Sequence, residues 1–176
     1  MKLLFLLLTF FAALFTPPAS HQPYAVPALR RQFHEAATDE TAGRRFHQLM
    51  SQYTERDAVV LAYKAASEAI MAKHTGGLFD KMDRVKAASR QFDEAVSLAP
   101  QQPEVRFLRF SIESNLPGFL GASKHVDEDR AFLVKTALQH PKSGLDAEAF
   151  DVMRDFLIAR NHVSPDEAQL LRRIAQ

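Results

Sequence analysis

Apolar residues recur every three or four positions along most of the chain, and this spacing limits the fold more than any other feature of the sequence. From Pro27 onward no segment alternates apolar and polar residues as a half-buried strand does. The pattern predicts an all-α fold of successive antiparallel helical hairpins. Of the 176 residues, 47% are hydrophobic, which is enough for one core. We therefore predict a single all-helical domain over residues 29–176.

Polar caps, prolines and glycines divide this pattern into eight predicted helices. The first is predicted over residues 29–37, and Gly76-Gly77 is expected to end the third. The fourth is expected from about Asp80 to Ala99, and the fifth to begin near Pro103 and to be the most buried. The predicted N-caps of the other helices are Asp39, Asp57, Asp127, Asp146 and Ser164, the last in a capping box with Glu167.

The first twenty residues have the pattern of a secretory signal peptide. Lys2 supplies a positive charge, Leu3 to Phe15 is apolar except for one threonine, and small residues follow. Cleavage is predicted between residues 20 and 28, after either Pro18-Ala19-Ser20 or Val26-Pro27-Ala28. The apolar run is shorter than the roughly 20 residues of a membrane-spanning helix. An uncleaved N-terminal anchor is the alternative to a cleaved leader.

Charge and cysteine content exclude several classes of function. The chain has 22 Lys and Arg and 21 Asp and Glu, so loss of Lys2 with the leader leaves the mature protein formally neutral. A neutral chain lacks the broad positive surface that nucleic acid or an anionic membrane requires. The absence of cysteine excludes a disulfide scaffold and cysteine-bound metal. An exported chain without cysteine favours a bacterial periplasmic or secreted location, with no stable membrane span after leader removal.

Two stretches resemble helical-repeat proteins. Ala88, Phe92, Ala95 and Pro100 have the spacing of the second helix of a tetratricopeptide repeat, and that segment resembles half a repeat. A second resemblance is carried by Val105-Arg106-Phe107-Leu108-Arg109-Phe110, Asn115-Leu116-Pro117-Gly118-Phe119-Leu120-Gly121 and Asp127-Glu128-Asp129. Through these segments, residues 45–140 are similar to small exported bacterial proteins with tetratricopeptide-like helices and no established activity. These resemblances imply a right-handed stack of hairpins and export, and they supply no catalytic residue.

Few residues suggest chemistry. Glu113-Ser114 is similar to the catalytic Glu-Ser of lytic transglycosylases, although the Gly-Leu-Met-Gln turn of that family is missing. We interpret the pair as solvent-facing polar residues at a helix end. His125 with Asp127, Glu128 and Asp129 offers imidazole and oxygen ligands, but capping by Asp127 explains these acids without a metal ion. We predict no metal and no cofactor. Arginines at 30–31, 44–45, 106, 109 and 172–173 are interpreted as solvated side chains or as i,i+4 pairs with Glu and Asp.

The sequence therefore favours protein binding as the function, with an envelope or secreted protein as the partner. The predicted binding loop follows the fifth helix, and its candidate contact residues are Asn115, Phe119, Leu120, Lys124 and His125. This connection exceeds the about 2–8 residues usual between packed helices and contains apolar side chains. The alternative is that Phe119 and Leu120 fold back and cover the core. A glycan-cleaving enzyme using Glu113 and a purely structural envelope protein are the alternatives.

Overall fold

A computed structural model describes residues 23–118 and 121–174. These residues form eight α-helices and no strand, which confirms the all-α prediction. Within the described ranges, no helix combines the length and the apolar character needed to cross a bilayer. The helices are α1 (Val26–Thr38), α2 (Glu40–Ser51), α3 (Ala58–His74), α4 (Leu78–Leu98), α5 (Pro103–Glu113), α6 (Val126–Ala137), α7 (Ala147–Ala159) and α8 (Pro165–Ile174).

Side-chain caps begin the helices at most of the predicted positions. The carboxylates of Asp39, Asp57 and Asp146 accept hydrogen bonds from first-turn backbone N–H groups of α2, α3 and α7. Ser164 and Glu167 form the predicted capping box: the Glu167 carboxylate accepts from the Ser164 N–H at 2.8 Å, and the Ser164 hydroxyl from the Glu167 N–H at 3.2 Å. These caps satisfy donors that a helix leaves unpaired at its start.

Three helix starts differ from the predictions. Helix α1 begins three residues early, because Pro27 fits a first turn in which no N–H is needed. Helix α4 begins at Leu78, after Gly77 adopts a φ of +80°. The prediction that Asp127 caps the sixth helix is wrong. His125 holds the N-cap position of α6 without a side-chain hydrogen bond, and Asp127 lies in the first turn.

The first hydrophobic core surrounds α3. This helix packs along α4 and also contacts α1, α2 and α5. Its alanines at 62, 65 and 66 are fully buried, and small side chains allow neighbouring helices to approach closely. The largest fully buried side chains of this core are Leu29, Phe46, Met50, Tyr63, Ile70, Phe92 and Leu108.

A second core joins α5 to the three helices that follow it. Its fully buried side chains include Phe110, Leu133, Met153, Leu157 and Leu171. Helix α5 contributes to both cores, and nine of its eleven residues are buried. The prediction that α5 is the most buried helix is confirmed for the described residues.

Arg30 connects the two cores through charged partners. Its guanidinium donates to the Glu104 carboxylate at 2.9 and 2.7 Å and to Asp146 at 3.0 and 2.8 Å. The Tyr63 hydroxyl donates to Glu104 at 2.7 Å, and burial, together with the charge on Glu104, raises the pKa of Tyr63. The interpretation of Arg30 as solvated is wrong, because Glu104 of α5 and Asp146, the N-cap of α7, pair with a side chain that is only 14% exposed.

Candidate functional site

Three charged residues of α5 lie on one buried face. Arg106, Arg109 and Glu113 are spaced by three and four positions, which places them along the same side of a helix. They are 8%, 3% and 3% exposed. Charged side chains are almost never buried to this degree without partners. Their partners come from α6 and from the loop that precedes it.

Asp129 pairs with both arginines. Its Oδ2 accepts from Arg109 Nε at 2.7 Å, and its Oδ1 accepts from Arg109 Nη2 at 2.8 Å and from Arg106 Nη1 at 2.6 Å. Asp129 is 0% exposed. Arg106 also donates to the exposed Glu128, and this hydrogen bond holds the pKa of Glu128 below its usual value. The interpretation of Arg106 and Arg109 as solvated is therefore wrong, because α6 covers them with matched carboxylates.

Glu113 holds the end of the α5–α6 loop. Its Oε2 accepts from the backbone N–H of His125 at 2.9 Å, and its Oε1 lies 3.0 Å from His125 Nδ1. The Ser123 hydroxyl donates to the Glu113 carbonyl at 2.9 Å, and His125 Nε2 lies 3.8 Å from Asp93 Oδ1. The interpretation of Glu113 as solvent-facing is wrong. Its carboxylate positions the loop and points toward His125.

The described parts of the same loop pack on α4. Leu116 and Ala122 form a small apolar cluster with Ala72 and Val85. Beside this cluster lies a cavity of about 10 Å³. That volume is near the lower limit for a single water molecule, so the cavity has no room for a substrate. The apolar residues that line it include Val85, Ala88, Phe92, Ile112, Leu116 and Ala122.

The predicted contact residues of the loop divide into three groups. Asn115 and Lys124 are exposed, and the Asn115 amide donates to the Ser111 carbonyl at 2.7 Å. His125 is 25% exposed and lies between Glu113 and Asp93. Phe119 and Leu120 lie outside the described residues. The structure thus places Asn115 and Lys124 where a partner can reach them.

An exposed apolar pair at the start of α4 was not predicted from the sequence. Leu78 is 57% and Phe79 81% exposed. Leu78 lies seven residues before the buried Val85 and so shares its face of α4, which by periodicity alone predicts burial. No neighbouring helix covers it in the described structure. The sequence feature that could have indicated this exposed pair is Gly76-Gly77, which two large apolar residues follow directly.

The acidic residues after His125 do not converge on a common site. Asp129 pairs with two arginines and Glu128 with one, while Asp127 is exposed in the first turn of α6. Within residues 23–118 and 121–174, no three His, Asp or Glu side chains form a group that could hold a metal ion. Charge pairing therefore explains the placement of Glu128 and Asp129.

The exposed pair Leu78 and Phe79 forms the candidate functional surface, and the exposed loop residues Asn115 and Lys124 are further candidate contact residues. Leu78 lies about two helical turns along α4 from Val85, where the loop packs, a distance of roughly 10 Å. Leu78 and Phe79 offer exposed apolar area of the kind found at the centre of protein-binding surfaces. The chain matches no protein-family model, no curated protein and no solved structure in the comparisons made.

Proposed function

We propose that the mature chain is an exported protein-binding module of the bacterial cell envelope. The observation that carries the proposal is the exposure of two adjacent large apolar side chains, Leu78 at 57% and Phe79 at 81%. Removing such a side chain from water is worth about 1.5–3 kcal/mol. A partner that covers both gains a central apolar contact of the kind that dominates binding energy.

The connection between α3 and α4 presents this pair to solvent. It spans only residues 75–77, and Gly77 uses a positive φ that few other residues adopt. The α5–α6 loop packs farther along α4 through Leu116 and Ala122, and its exposed Asn115 and Lys124 are proposed as polar contacts. Phe119 and Leu120 remain predicted contact residues of the loop.

Helix packing supports a tetratricopeptide-like arrangement for this module. Ala88, Phe92 and Ala95, which carry the resemblance, are 2%, 1% and 0% exposed. Phe92 and Ala95 belong to the core around α3. Short connections between α1, α2, α3 and α4 favour antiparallel hairpins. We infer that these hairpins stack in the right-handed sense of the repeat family, whose stacked surfaces bind proteins without a cofactor.

Export rests on the sequence of the leader. Lys2 and the apolar run from Leu3 to Phe15 are typical of a signal peptide, and the chain contains no cysteine. The partner is therefore an envelope or secreted protein.

Affinity capture from the envelope fraction tests the proposal. The wild-type mature protein is expected to retain a specific partner, and Phe79→Ser to reduce its recovery at least tenfold without lowering Tm. Val152→Ser is the matched control, since Val152 is 54% exposed and lies on α7 rather than on α4 or the α5–α6 loop. Equal capture by Phe79→Ser and the wild type would contradict the proposed surface, as would an equal loss in the control.

The glycan-cleaving alternative has less support. It requires Glu113 to protonate a glycosidic oxygen within hydrogen-bond distance. Glu113 is 3% exposed, and both of its carboxylate oxygens face His125. Incubation of the mature protein with peptidoglycan tests this alternative directly. Cleavage that Glu113→Gln abolishes, with Tm unchanged, would favour the enzyme over the binding module.

A further inference from the structure

The side chain of His162 packs against the second hydrophobic core, although it lies in the connection between α7 and α8. Its ring stacks on Phe156, with the centroids 5.4 Å apart, and meets Phe110 edge to face at 4.8 Å. Phe110 is 0% exposed. Both hydrogen bonds of His162 with the described residues use its backbone: its N–H donates to the Leu157 carbonyl at 2.9 Å, and its carbonyl accepts from Arg130. The imidazole is therefore held by aromatic packing.

Positive charges face this ring from two of the four elements around it. They belong to Arg130 of α6 and to Arg160, which directly follows α7. Glu167 of α8 lies 3.5 Å from Arg130 and is paired with it, and α5 contributes the uncharged ring of Phe110. Burial of the imidazole, followed by the charges of Arg130 and Arg160, lowers the pKa of His162. A protonated His162 would therefore be a third positive charge beside two arginines.

The same connection positions α8. It spans residues 160–164, and its Asn161 has a φ of 56°, in the left-handed region that few residues other than glycine adopt. Such a backbone conformation persists only where the surrounding packing fixes it. Helix α8 then places Leu171, which is 0% exposed, in the second core. Packing of the His162 ring thus supports the turn that holds Leu171 in place.

We propose that the α7–α8 connection is an acid-sensitive latch, in which protonation of His162 loosens α8 from the second core. The neutral ring packs between two phenylalanines, whereas an imidazolium loses water there and is repelled by Arg130 and Arg160. Because the pKa of His162 is lowered in the folded chain, the stabilising contribution of the neutral ring is fully present above the ordinary histidine value of about 6.5. It is lost as pH falls below that value and through the lowered pKa. The latch does not depend on partner binding at Leu78 and Phe79.

Hydrogen exchange of the backbone amides, corrected for the pH dependence of the intrinsic exchange rate, measures the opening of α8. In the open form a histidine titrates near its ordinary value of about 6.5, so protonation of His162 alone favours opening by up to about 30-fold at about pH 5. The protection of the α8 amides is therefore expected to fall at least threefold between about pH 7.5 and about pH 5, while the amides of α3 keep their protection. A smaller fall in α8, or an equal fall in α3, would overturn the latch.

Two matched substitutions assign the effect to one ring. His162→Phe keeps an aromatic side chain that cannot gain a proton, so the protection of its α8 amides is expected to stay constant over this pH range. His140→Phe is the control, because His140 stacks on Phe150 at 4.0 Å but lies outside the connection, and it is expected to keep the wild-type fall. An undiminished fall in His162→Phe would refute the role of His162. In the wild-type chain, the imidazole shifts of His162 and the amide shifts of α8 are expected to titrate with one midpoint in nuclear magnetic resonance spectra, and two separate midpoints would refute that role without any variant.

Discussion

Substitution of Asp129 by asparagine tests the buried charge cluster on α5. Asp129 is 0% exposed, and both of its oxygens accept hydrogen bonds from Arg106 and Arg109. Asparagine keeps the shape of the side chain and removes its charge. The variant therefore leaves two buried guanidinium groups without their shared counter-charge.

The expected cost follows from the remaining partners. Removing one member of a buried ion pair costs about 3–5 kcal/mol. Arg106 still donates to Glu128, and Arg109 Nη1 still lies 3.6 Å from Asp93 Oδ1, so the lower end of that range applies. A loss of about 3 kcal/mol corresponds to a fall in Tm of roughly 6–12 °C for a chain of this size.

Urea and thermal unfolding followed by far-ultraviolet circular dichroism measure this loss. Glu128→Gln is the matched control, because Glu128 pairs with the same Arg106 but is 59% exposed and is expected to cost less than about 1 kcal/mol. A double variant, Arg109→Met with Asp129→Leu, is expected to recover part of the stability because it removes the charges of Arg109 and Asp129 together and leaves Arg106 paired with Glu128. If Asp129→Asn costs no more than Glu128→Gln, the cluster is solvated and this reasoning is refuted.

Three further predictions concern the core, the loop and acid stability. Ala88→Leu adds three carbons beside a cavity of about 10 Å³ and is expected to cost about 1–3 kcal/mol, whereas an unchanged melting curve would place Ala88 outside the core. Phe119→Ser combined with Leu120→Ser is expected to abolish partner capture with Tm preserved; unfolding, or capture and Tm both unchanged, would exclude this loop as the binding site. The hydrogen bond from the Ala149 N–H, and to a smaller extent the one from Arg30, holds the pKa of Asp146 below its ordinary value. The contribution of the Asp146 carboxylate to stability is therefore fully present above the ordinary aspartate pKa of about 3.9. It is lost as pH falls below that value and through the lowered pKa of Asp146. Asp146→Asn is expected to show a smaller fall in Tm from pH 5 to about pH 2, and an identical fall would contradict this cause.

Features that depend on neighbouring residues in the sequence were predictable. The capping box of Ser164 and Glu167 and the caps at Asp39, Asp57 and Asp146 are confirmed, because each uses hydrogen bonds within three residues of the cap. The helical class follows from the apolar spacing for the same reason. The resemblance to tetratricopeptide repeats and the signal peptide remain predictions, since the first concerns packing and the second lies outside the described residues.

The candidate surface was predictable only in part. Asn115 and Lys124 are exposed as expected, since a polar residue in a loop normally faces water. The exposure of Leu78 was not predictable from periodicity, because it shares a helix face with the buried Val85. Whether such a residue is covered depends on how far the neighbouring helices extend, and the spacing of residues along α4 carries no information about that.

The sequence by itself determined the helical class, most of the helix starts and the central position of α5. Only the tertiary structure decided the role of the charged residues, because Arg30, Arg106, Arg109 and Glu113 find their partners between 12 and 116 positions away in the sequence. A charged side chain is stable in water without any partner, so its residue type alone favours exposure. Burial becomes favourable only when the fold brings an opposite charge into hydrogen-bonding distance.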